Sequence, residues 1–166
     1  MSIEDIFTLI SGLAIALGVG ISTIQELLII RALKDGRIDA SEQTLLGAVA
    51  ASMRVVFQAF FFSGTTFLLY EKLAGNPEVL WNQTVWSMSI IFLVLGVTIL
   101  LRDGRRIPFE IGSSVITVSW YTLFILGLFG KTLSAPLDTI MVFYFLSILL
   151  GTFIIDRIQR LAGIYM

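Results

Sequence analysis

Five long apolar runs constrain this chain more than any other feature. They cover residues 6–33, 44–70, 79–101, 109–129 and 137–155. Each is close to or beyond the roughly 20 residues that carry a helix across the hydrocarbon core of a bilayer. Backbone amides in lipid must be satisfied within the segment, so such runs fold as helices. The breaks between them carry helix-stopping chemistry. Asp35-Gly36 marks a turn in the first break, Gly75-Asn76-Pro77 interrupts the second, Gly104 sits in the third, and Gly130 and Pro136 bracket the fourth. The expected fold is all-α, a single integral membrane domain over residues 1–166 built as a bundle of five transmembrane helices.

Composition supports this and excludes other classes. Apolar residues make up 57% of the chain and charged residues 14%, with a mean hydropathy of +0.93. Soluble domains carry about 25% charged residues, and a core of this size could not bury so much apolar surface. There is no cysteine and no histidine, which removes haem, Fe–S and thiolate metal sites as expectations. All three lysines, Lys34, Lys72 and Lys131, fall outside the span centres, so a mid-span Schiff base to retinal is not expected either. No cofactor is predicted. The net charge of −1 gives no sign of nucleic-acid binding.

Local signals set the expected helix ends. Ser41, with Glu42 behind it, reads as the N-cap of the second helix. Pro108 suits the start of the fourth. Tyr70, Trp81 and Trp86 read as an aromatic belt at one membrane face, and Phe60, Phe61 and Phe62 as lipid-facing bulk. The opening MSIED is acidic and its apolar run is long, which argues against a signal peptide.

The loops alternate in charge. Arg31, Lys34 and Arg37, then Arg102, Arg105 and Arg106, then Arg157 and Arg160 all fall on one side, with only Lys72 and Lys131 on the other. The excess of Lys and Arg on cytoplasmic loops then places the N-terminus outside and the C-terminus in the cytoplasm. The expected location is the plasma (inner) membrane of a prokaryote.

Two features of the first span stand out. Gly12, Ala16 and Gly20 form a small-residue row at i, i+4, i+8, with Ala14, Gly18 and Ser22 as a second row. Small rows let another helix approach closely in lipid, and Gly12, Ala16 and Gly20 are the candidate packing face. Glu26 is a carboxylate inside an apolar segment, where a charge needs a partner. Arg54 in the second span is the candidate. Counted from the intervening loop, Glu26 lies about 10 Å deep and Arg54 about 15 Å at 1.5 Å per residue, within reach of a snorkelling arginine. Ser22, Gln25 and Gln58 extend this into a candidate polar cluster, read as interhelical hydrogen bonds or a small pocket. In the fourth span Ser113, Ser114, Thr117 and Ser119 are placed to bond to neighbouring helices. A serine nucleophile needs a base, and neither a histidine nor a mid-span lysine is present, so no catalytic residue is assigned.

The segments GVGISTIQELL and LKDGRI, with SWYTLFILG in the fourth span, resemble a group of small uncharacterised integral membrane proteins from environmental bacterial genomes. In that group a small-residue row precedes an acid near the end of the first span, and Glu26 takes that place here. The resemblance covers about a third of the chain and implies no activity. The expected role is a structural or interaction subunit that packs through small-residue helix faces, in a homo-oligomer or against other membrane subunits. The alternative is a small transporter or channel acting as an oligomer, with a buried Glu26–Arg54 pair near the path.

Overall fold

A computed structural model describes residues 3–34, 39–104, 106–130 and 135–161. The Asp35-Gly36 turn, Arg37, Arg105 and Lys131 lie outside the described residues, as do the side chains of Lys34 and Arg160. Five helices, α1 (Ile3–Lys34), α2 (Ala40–Leu73), α3 (Gln83–Asp103), α4 (Phe109–Phe129) and α5 (Leu137–Leu161), are joined by short connections. All five are long and apolar enough to cross a membrane, and no strand occurs among the described residues.

The helix starts follow side-chain caps. α2 begins one turn before the expected residue 44, because the cap is Asp39 rather than Ser41. The Asp39 carboxylate accepts the Glu42 amide at 2.7 Å, and the Glu42 side chain accepts the Asp39 amide at 3.2 Å. This reciprocal box satisfies two amides that the helix leaves unpaired. Ser41 instead donates its hydroxyl to Asp39 at 2.7 Å. The stretch Pro77–Trp81 forms a separate 3-10 turn, so the third long helix starts at Gln83 and not near residue 79. Asn82 is its cap, accepting the Thr84 amide at 2.8 Å.

Neighbouring helices run antiparallel, as short connections require. Phe7 meets Phe67 across α1 and α2 with ring centroids 6.3 Å apart, and Ser11 pairs with Ser63 at 3.1 Å. Thr84, at the start of α3, donates to the Gly130 carbonyl at the end of α4 at 3.2 Å. Ser119 on α4 and Tyr144 on α5 share a hydrogen bond of 2.8 Å. Arg31, Arg102, Arg106 and Arg157 consequently fall at one end of the bundle.

α4 is the central helix, in contact with α1, α3 and α5. Much of α4 is buried and little of α5 is, so α5 lies at the periphery. Trp120 is the hub. It is fully buried, its indole N–H donates to the Met53 sulfur at 3.0 Å, and its ring packs edge-on to Phe60. The Phe60–Phe62 run is therefore split: Phe60 packs inward against Phe92 and Trp120, while Phe61 and Phe62 face outward. Trp81 and Trp86 are exposed, and Tyr70 is half-buried beside Phe7.

Candidate functional site

The two small-residue rows of α1 have opposite fates. Positions two apart on a helix at 3.6 residues per turn differ by about 200°, so the rows lie on nearly opposite faces. Ala14, Gly18 and Ser22 are buried. A Cβ at Gly18 would overlap the Trp120 ring, so this glycine is what admits the indole. Gly12, Ala16 and Gly20 are exposed, and a Cβ added at Gly12 or Gly20 would meet nothing within 4 Å. The candidate packing face thus packs against nothing within the described part of the chain. Leu13 and Leu17 are exposed beside it.

The polar cluster assembles on α1, α3 and α4. Ser22, Gln25 and Glu26 share one face of α1 at helical spacing. The Ser113 hydroxyl donates to Glu26 Oε1, and so does that of Thr117 at 3.4 Å. Ser113 and Thr117 are one turn apart on α4, so both reach the same oxygen. With the Gln25 amide assigned so that its oxygen faces α3, that oxygen accepts both Nη atoms of Arg102, Nη1 at 3.0 Å. Arg102 also attracts Glu26 electrostatically. Its stem runs across Gly112, where a Cβ would come within 3.2 Å of Cδ. Ser22 is buried but bonds its own helix, donating to the Val19 carbonyl at 3.0 Å.

Arg54 and Gln58 do not join this group. Arg54 Nη2 pairs with Asp103 Oδ2 at 2.8 Å, with side chains 58% and 38% exposed. The expected Glu26–Arg54 pair is thereby corrected. The register set by Phe7–Phe67 and Ser11–Ser63 brings Glu26 level with Ala48 of α2, and Arg54 lies six residues beyond, about 9 Å along the axis. α4 fills the space that Glu26 faces. Gln58 is exposed on the outer side of α2 and has no hydrogen-bond partner among the described residues.

Consecutive residues Arg102 and Asp103 therefore tie the end of α3 to α1 and to α2. Ser113 lies four residues into α4, about 6 Å from its start, so the cluster sits near the bundle end rather than at mid-depth. Arg102 is missed by sequence reasoning because its place beside a glycine and two further arginines reads as loop. The Ser113 and Thr117 spacing was the available signal for α4. Of the α4 hydroxyls, Ser114 is the exception: its buried Oγ has no partner among the described residues and faces Gly151 of α5. The Gln25 amide holds Arg102, and the Ser113 and Thr117 hydroxyls hold Glu26, which is chemistry suited to joining helices.

Compared with known proteins, the chain matches no protein family, no curated protein and no solved structure.

Proposed function

We propose that this chain is a multi-pass membrane protein that acts as an interaction subunit, packing through Gly12, Ala16 and Gly20 against a further transmembrane helix. The observation that carries this reading is the open space above Gly12 and Gly20 on an exposed helix face. Association in lipid draws on close van der Waals packing, which small residues allow. The basic end of the bundle, with Arg31, Arg102, Arg106 and Arg157, supports a cytoplasmic placement of that end and an external N-terminus. The plasma membrane of a prokaryote is the location this reading carries.

The channel or transporter alternative draws less support. Its two proposed pore charges, Glu26 and Arg54, have separate partners.

Native mass spectrometry on protein extracted gently from its source membrane tests the proposal. The wild type is expected to arrive with companions in fixed ratio, and Gly12→Leu with Gly20→Leu to release them while the helical signal stays intact. Unchanged assembly in that double variant overturns the proposal.

A further inference from the structure

Gln58 poses a physical problem that the chain does not solve alone. Its neighbour Phe57 stacks on Phe92 with centroids 4.4 Å apart and fills the space above Gly96. Phe92 is near the middle of α3, which spans 21 residues. At 1.5 Å per residue either end of α3 is roughly 13–17 Å away. On the membrane-spanning reading proposed above, Gln58 therefore lies near the bilayer midplane. It is exposed there, between the outward side chains Val55 and Phe62, which are 64% and 66% exposed. Its amide has no partner among the described residues, and its stem is too short to carry the amide to the headgroups as a lysine or arginine would. Hydrocarbon offers no hydrogen bond, so an amide left there is strongly disfavoured.

We propose that the Gln58 face of α2 docks against the same face of a second copy of this chain, the two Gln58 amides bonding to each other. A carboxamide carries both donors and an acceptor. Two copies inserted in the same orientation and related by a twofold axis along the membrane normal hold their Gln58 side chains at equal depth. Each amide N–H then donates to the other's carbonyl. An unrelated partner would need its own polar group at that depth, whereas a second copy supplies one by symmetry. Val55 and Phe62 line one side of the pair, and Arg54 and Phe61 the other. This interface is separate from the α1 row.

The chain has no cysteine, so Val55→Cys or Phe62→Cys introduces a sole thiol. Each variant is reconstituted dilutely into phosphatidylcholine–phosphatidylglycerol vesicles and oxidised with copper phenanthroline. Disulfide-linked dimer is expected from both, and not from Leu149→Cys on the outer face of α5. Adding Gln58→Leu, which places an apolar group on a lipid-exposed position and leaves the fold intact, should lower the dimer yield several-fold. Dimer that persists undiminished with Gln58→Leu overturns the proposal, as does absence of dimer from both thiols. A crosslink formed only to a different polypeptide in the source membrane also overturns it. Resistance to carbonate extraction reports the spanning reading separately, and Gly20→Cys reports the α1 face separately.

Discussion

Trp120 occupies the space that a side chain at position 18 would need. This single relationship fixes how closely α1 and α4 approach and which face of α1 turns inward. It also makes Gly18 and Gly20, two residues apart, energetically unlike. Gly18→Ala is expected to lower stability by about 1–3 kcal/mol through overpacking against a buried ring. Gly20→Ala, facing open space, should change the stability of the isolated chain by no more than about 0.5 kcal/mol. Unfolding in mixed micelles, with both variants side by side, checks the contrast.

The partners assigned to Glu26 predict a specific pattern of coupling. A double-mutant cycle between Glu26→Ala and Ser113→Ala should give about 0.6–1.7 kcal/mol, the range for interhelical hydrogen bonds in a membrane protein. The cycle between Glu26→Ala and Arg54→Ala should give nothing measurable, since the residues have separate partners. Appreciable Glu26–Arg54 coupling would show that the two charges meet after all.

Arg54 and Asp103 form an exposed pair at the end of α3. Their coupling should be at most about 1 kcal/mol and should shrink as salt is added. Titrating sodium chloride across the same cycle measures this, and a large salt-insensitive coupling would contradict the exposed geometry.

Ser119 and Tyr144 make a buried hydrogen bond that helps hold α5 to α4. Tyr144→Phe should cost about 0.6 kcal/mol, the average for interhelical hydrogen bonds in a membrane protein. Because α5 is the peripheral helix, the effect should appear first as faster hydrogen exchange in α5. Exchange that rises equally in all five helices would argue against a local role.

The cap of α2 carries a pH dependence. The Asp39 carboxylate accepts the Glu42 amide and the Ser41 hydroxyl, which hold its pKa below the ordinary aspartate value. A carboxylate lowered on folding contributes stability that is fully present above its unfolded pKa and lost as pH falls through its folded pKa. Asp39→Ala should therefore weaken the start of α2 near neutral pH. The difference from wild type should narrow as the solution is acidified through the carboxylate range. Hydrogen exchange at residues 40–44 against pH reads it directly, and a difference that widens on acidification would reverse the assignment.

The cap itself illustrates what could be read from sequence and what escaped. Asp39 and Glu42 stand three apart, the spacing of a capping box, yet the hydroxyl of Ser41 drew the expectation two residues late. Pro77 correctly announced a break, but Asn82 as the cap of α3 went unseen, since Trp81 prolongs the apolar run. Such errors move helix ends by a turn and leave the number of helices unchanged.

The five helices themselves were determined by sequence alone, because long apolar runs in lipid can satisfy their backbone only within each segment. The tertiary structure decided which side of each helix is which. In α1 the row Ala14, Gly18 and Ser22 runs on to Glu26 and so carries the polar end, but a hydrophobic face meets lipid as readily as it meets another helix, so the apolar lengths of the two rows do not say which one packs. Trp120 does, by filling the groove over Gly18 and leaving that over Gly12 and Gly20 open. The partners of Glu26 were decided in the same way, since they depend on the register of α1 against α2 and α4. That register is set by packing between residues far apart in the chain, such as Ser11 with Ser63 and Trp120 with Gly18.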